Sequence, residues 1–175
     1  MPPSENGRFR DVDWGRTAAH PNQLARQQNH TTETPDQWVD LGQRVHGGFG
    51  SYLALGIRIG LDAMHRLNAT ARTLDVTYYN GAIAPCPCVV DGIMIATTST
   101  PGQNLLRVAS TPSPEGTFGV AEIHDRTTGK ILRYTIPDRA KLQLDTWNQV
   151  TSGRQRYDAV MRASEETLFS VKMIR

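Results

Sequence analysis

The chain reads as an α+β protein in which N-terminal helices pack on a small mixed or antiparallel sheet and further helices follow toward the C-terminus. Three observations predict it. Two stretches with apolar residues at helical spacing come first, between Thr34 and Met64. A β-rich segment, an apolar segment and two runs flanking a "TTGK" turn come next. Strands and helices are grouped instead of alternating strictly, which argues against a doubly wound sheet.

The first helix is expected over "TPDQWVDLGQRV", ending near His46. Thr34 can cap it, Pro35 suits its first position, and Asp36 complements the dipole. Trp38, Leu41 and Val45 fall on one face. A second helix follows the glycine loop, with Ser51 as its cap and Leu53, Ile57, Leu61 and Met64 as its stripe. "TLDVTYYN" is β-rich and alternates, so it is read as a strand. "CVVDGIMIATT" is apolar after Pro85 and Pro87, and its period cannot separate strand from helix; helix is preferred. "TFGVAEIHDR" and "KILRYTIP" form a hairpin in which Gly129 takes positive φ. "RAKLQLDTWNQV" and "RQRYDAVMRASEE" read as helices, and "LFSVKMIR" as a last strand.

Residues 1–33 are polar and without period, and are expected to be an arm; residues 34–175 form a single domain. The 38% hydrophobic and 21% charged content is that of a globular protein. A net charge of +2 gives no footprint for nucleic acid or an anionic membrane. The opening "MPPSENGRFRDVDWGR" has no apolar core, so no secretory signal is expected. No apolar run approaches the roughly 18–20 residues that cross a bilayer. A soluble cytoplasmic protein is the expectation.

Four features compete for a site. His46 stands before Gly47, Gly48 and Gly50, and a helix start after such a loop presents free N–H groups to an anion. The same glycines can serve a tight turn alone. Cys86 and Cys88 are the two cysteines of the chain. A disulfide between positions this close is expected to be strained, which leaves packing, metal or thiol chemistry. At the start of a helix Cys88 would favour its thiolate. Asp91 lies three residues after Cys88, on the same helical face. "TTSTPGQN" is a hydroxyl-rich loop that includes Ser99, Thr100 and Asn104. His20, His30, His65 and His124 show no metal-site spacing, so a closed structural zinc site is not expected.

The order of these features resembles the FmdE family, proteins similar to a subunit of formylmethanofuran dehydrogenase. Its first block, roughly F-H-G-H-x-C-P-G-x-A-L-G, is matched in "VHGGFGSYLALGIRIGLDAM" at His46, Gly47, Ala54, Leu55 and Gly56. Its second block runs from a cysteine through D-A-I-Q to T-G-C-T-x-G and an asparagine. "CVVDGIMIATTSTPGQNL" matches it at Cys88, Asp91, Ile93, Thr97, Thr100, Gly102 and Asn104. "AEIHDRTTGKILRY" and "ETLFSVKMI" are similar to later family strands. Gly50 replaces a family cysteine, Gly48 a family histidine, and Thr98-Ser99-Thr100 stands for G-C-T.

The resemblance implies a pocket walled by the glycine loop, the Cys88 segment and the Thr97–Asn104 loop. His46, Cys88 and Asp91 would be its catalytic groups, with Gly47, Gly48, Gly50, Ser99, Thr100 and Asn104 binding a small molecule. Family members tend to bind a metal such as zinc, for which His46 and Cys88 would remain as ligands. The implied function is an enzyme on a small metabolite, by acid–base or by thiolate or metal chemistry. The alternative is a non-catalytic metal or ligand carrier, or an accessory subunit of an oxidoreductase. Relatives pair, and the long stripe of the second helix adds to the expectation of a homodimer.

Overall fold

The computed structural model describes residues 33–175, so the arm expected over residues 1–33 lies, but for Glu33, outside the described residues. In chain order the elements are α1 (Pro35–His46), α2 (Ser51–Leu67), β1 (Leu74–Asn80), α3 (Cys88–Thr97), β2 (Leu106–Val108), β3 (Thr117–Asp125), β4 (Ile131–Pro137), α4 (Ala140–Val150), α5 (Gly153–Arg162), α6 (Glu165–Leu168) and β5 (Ser170–Met173). The fold is α+β, as the sequence predicts.

The sheet is mixed, in the order β2-β1-β3-β4-β5. Strand β2 runs parallel to β1, and the other neighbours are antiparallel. A parallel neighbour requires a crossover, and α3 supplies it, making β1–α3–β2 a βαβ unit. The register pairs Val76 with Ile123 and Tyr78 with Ala121, then Ala121 with Tyr134. That alternation turns Leu74, Val76, Tyr78, Ile123, Leu132 and Tyr134 to one face, where all are buried. The opposite face carries cross-strand ion pairs, Arg107–Asp75 and Arg133–Glu122, each at 2.6 Å.

Helix α2 is the centre of the helical layer: Leu53, Leu55, Ile57 and Ile59 have no exposed surface. Its contact with α3 is made backbone to backbone. A Cβ at Gly56 would lie 2.0 Å from the Val89 carbonyl oxygen, and one at Gly92 would lie 2.2 Å from that of Leu53. Gly60 approaches Ala96 and Ile93 in the same way. Position 56 therefore faces 89 and 92 while 60 faces 93 and 96, so the two helices run parallel and their N-termini lie at the same end. That end receives the C-terminus of α1 and the chain leaving β1.

Several local expectations are corrected. Leu41 and Val45 are exposed; α1 buries Trp38 and Gly42 and packs Val39 beside them, so its inner stripe runs along positions 38, 39 and 42, with Gly42 held against the Phe49 ring. Ser51 does not cap α2. Gly50 holds the cap position, and the Ser51 hydroxyl is buried, donating to the Leu144 carbonyl at 2.7 Å. The stripe of Leu53, Ile57, Leu61 and Met64 packs into the chain's own core and so is not left over for a partner. The stretch read as one helix over "RQRYDAVMRASEE" breaks at Ala163 and Ser164 into α5 and α6. Arg58 closes α5: its guanidinium donates to the carbonyls of Val160 and Ala163, each at 2.7 Å, beside the Phe169 ring.

Candidate functional site

The end of α1 carries His46 because the helix stops there. Gly47, at φ 85°, turns the chain in the left-handed region and donates its N–H to the Gln43 carbonyl. Across from it, α3 starts at Cys88, and one turn later presents Asp91. The His46 Nδ1 lies 2.7 Å from Asp91 Oδ2, joining residues 45 positions apart. A carboxylate only accepts, so the ring donates from Nδ1–H and Nε2 is left as the free nitrogen. Side-chain exposure is 26% for His46 and 39% for Asp91, so the pair is reached from solvent.

Cys88 is the first residue of α3, three positions before Asp91 and on its face of the helix. Its sulfur is not free. It forms a disulfide with Cys86, with the two Cα atoms 5.4 Å apart. That separation lies inside the ordinary disulfide range, with the chain bending at Pro87 as it enters the helix; the two cysteines, read from the sequence as unbridged packing, metal or thiol groups, are joined to each other. As a disulfide, Cys88 is neither a thiolate nucleophile nor a metal ligand.

The glycine loop is a piece of chain geometry. Ser51 N–H, the group an anion would have met, donates to Asn148 Oδ1 on α4 at 2.7 Å. A Cβ at Gly50 would lie 3.3 Å from that same oxygen, and Gly47 is the helix stop. A Cβ at Gly47 or at Gly48 would meet nothing within 4 Å, and of the two only Gly47 needs positive φ. The first N–H of the predicted anion cradle is therefore taken by a side chain from α4, a long-range cap that the local sequence does not announce.

The hydroxyl loop lies elsewhere. Ten residues of α3 carry the chain about 14 Å from Cys88 to Thr97. Ser99 is then fully buried, its hydroxyl donating to the carbonyl of Leu74, the first residue of β1, at 2.7 Å. Thr100 caps the short turn Pro101–Gln103, accepting from the Gln103 N–H, and Asn104 ends that turn with φ 57°. Within one protomer Ser99, Thr100 and Asn104 are not brought to His46 and Asp91.

Three donors would have to converge for a catalytic zinc site. Among the described residues no group of three His, Cys, Asp or Glu side chains does so. With Cys88 bridged to Cys86, His46 and Asp91 make a pair, and the residues present do not fit the metal that the family pattern implies.

Other features were not expected. The Tyr52 hydroxyl, on the first turn of α2, donates to Asp145 on α4, and Lys141 Nζ contacts the other oxygen of Asp145 at 2.6 Å. Burial, with the Asp145 hydrogen bond and charge added, pushes the Tyr52 hydroxyl well above its ordinary value. Surface hollows of about 590, 520 and 370 Å³ occur on the open face of the sheet and around α4 and α6. None of the three is lined by His46, Cys88 or Asp91. The largest, between Tyr79, Glu122, Arg133 and the Pro112–Pro114 loop, already has its charges paired. A signal for the disulfide was present in "CPC"; no local signal announced the Tyr52–Asp145–Lys141 set.

A family model described as "FmdE, Molybdenum formylmethanofuran dehydrogenase operon" matches residues 45–170. The match spans His46, both cysteines and Asp91. Comparison with curated proteins gives no match. No helix among the described residues is long and apolar enough to cross a membrane.

Proposed function

The chain belongs to the FmdE family, and we propose that it is an enzyme acting on a small metabolite, with His46 as general acid–base and Asp91 as its positioning partner. One observation supports the reading. Two polar side chains from separate family blocks meet at 2.7 Å, at a half-exposed spot where an ion pair adds little stability. Asp91 accepts from Nδ1–H, fixing the ring and its tautomer, and its charge stabilises the imidazolium that forms when Nε2 takes a proton. A proton taken from a substrate at Nε2 can be returned from the same nitrogen, so the pair suits a transfer within one small molecule. Leu41 and Val45 stand exposed on α1 immediately before His46, and Ile83 stands exposed on the segment before Cys86. A second copy resting on these side chains would shield the pair from bulk water, and the reading includes that homodimer.

The test has two steps. ¹⁵N NMR of the neutral His46 ring should find the proton on Nδ1 and Nε2 bare. A panel of small carboxylic and carbonyl metabolites, followed by NMR, then identifies turnover. His46→Gln should lower that turnover by about 10²–10⁴-fold with an unchanged far-UV circular dichroism spectrum. Turnover that survives both His46→Gln and Asp91→Ala overturns the reading.

A further inference from the structure

The acid–base pair gives no role to the Cys86–Cys88 disulfide, and packing gives it little. A cross-link that spans one residue ties no two elements together and closes the smallest of loops, where the effect on the unfolded chain is least. The geometry points to Cys86-Pro87-Cys88 as a thiol–disulfide exchange centre for low-molecular-weight thiols and disulfides, in which Cys88 is the attacking sulfur and Cys86 the resolving one.

The two sulfurs are unequal by position. Cys88 is the first residue of α3, where helical N–H groups point outward and Pro87 offers no side-chain cap. Those groups and the dipole stabilise an anionic sulfur at Cys88. Cys86 lies outside the helix and has no such support. Asp91, one turn along, opposes a thiolate at Cys88, and the Nδ1–H that His46 donates to Asp91 Oδ2 weakens that opposition without cancelling it. Both cysteines are half-buried, open to a small reagent. They are also the chain's complete cysteine content, so no third sulfur competes for the pairing.

In the oxidative direction the Cys88 thiolate attacks one sulfur of a small disulfide RSSR. The Cys88–SR bond forms, the RS–SR bond breaks, and RS⁻ leaves. The Cys86 thiolate then attacks Cys88 Sγ, forming the bridge seen in the structure and expelling the second RS⁻. Two electrons pass from the protein to RSSR, and the two thiol protons end on two RSH. Run backward, two equivalents of a small thiol reduce the bridge.

Oxidised glutathione is a suitable probe of the full chain, first reduced with dithiothreitol and desalted. Free thiols are counted and intact masses taken after acid quenching. The wild type should go from two thiols to none and keep no glutathione. Cys86→Ser should hold one glutathione on Cys88, since nothing resolves it. Cys88→Ser should react more slowly by about tenfold or more. A wild-type protein that keeps glutathione adducts or two free thiols, or single variants that react at equal rates, overturns the proposal. A measurement without variants guards against misfolding: limiting iodoacetamide on the reduced wild type, read by tandem mass spectrometry, should label Cys88 over Cys86 by about tenfold, and equal labelling refutes the assignment. Both readouts count sulfur, so they stand or fall independently of turnover at His46.

Discussion

Gly56→Ala tests how the end of the molecule that carries His46 and Asp91 is assembled. The added methyl would sit 2.0 Å from the Val89 carbonyl oxygen and 2.9 Å from Gly92 Cα. Both obstacles are backbone, so no rotamer change relieves them, and restoring ordinary contact needs about 1 Å of separation between α2 and α3. Overpacking of this kind costs about 1–3 kcal/mol where side chains can yield, and the upper end applies where only helices can move. The better helix propensity of alanine returns about 1 kcal/mol. A net loss of about 2 kcal/mol follows, or about 4–8 °C in Tm for a chain of this size. Moving α3 outward would also stretch the 2.7 Å His46–Asp91 contact past hydrogen-bonding range. Urea and thermal unfolding measure the first effect, and the His46 ring ¹⁵N shifts the second. Gly48→Ala is the control, since a Cβ there meets nothing within 4 Å. Should Gly56→Ala unfold at the wild-type temperature with unchanged ring shifts, the close crossing of α2 and α3 is not what positions the pair.

Two further outcomes follow from packing and charge. Burial pushes the Asp145 carboxyl upward, but hydrogen bonds from Lys141 and Tyr52 outweigh it and hold the group below its ordinary value of 3.8. A depressed carboxyl stabilises the fold above its unfolded value and loses that contribution as the pH falls through the folded one. Asp145→Asn should therefore flatten the fall of the urea midpoint below about pH 4, and an unaltered acid limb counts against the Tyr52–Asp145–Lys141 set. Light scattering of the full chain should give the mass of a dimer, and Leu41→Glu with Val45→Glu the mass of a monomer; a monomeric wild type removes the homodimer from the proposed function.

What the sequence disclosed and what it withheld divide along physical lines. The helix and strand cores were legible, because each rests on a local period or a local stop: Thr34 before Pro35, Gly129 in the hairpin, the prolines before Cys88. The meeting of single polar residues was legible only through the family blocks. His46 and Asp91 are 45 positions apart, and neither spacing nor charge predicts that they touch. The hydroxyl loop was misplaced for a geometric reason. Sequence order put Ser99 a few residues beyond Asp91, but a helix between them is a rod, and it holds its two ends about 14 Å apart. Local rules also miss caps that arrive from far along the chain, as Asn148 does at Ser51.

The glycines explain how the frame outlasts changes in the side chains mounted on it. Gly56 and Gly92 set the distance between α2 and α3 against backbone and Gly60 against the Ala96 methyl, so that distance does not depend on what stands at position 48, 50 or 99. The crossing presents the first turn of α3 to the end of α1. On that turn stand Cys88 and Asp91, one tied to Cys86 and the other to His46. A disulfide and a histidine–carboxylate pair thus share one turn of helix, and the position of that turn is fixed by glycines that carry no chemistry.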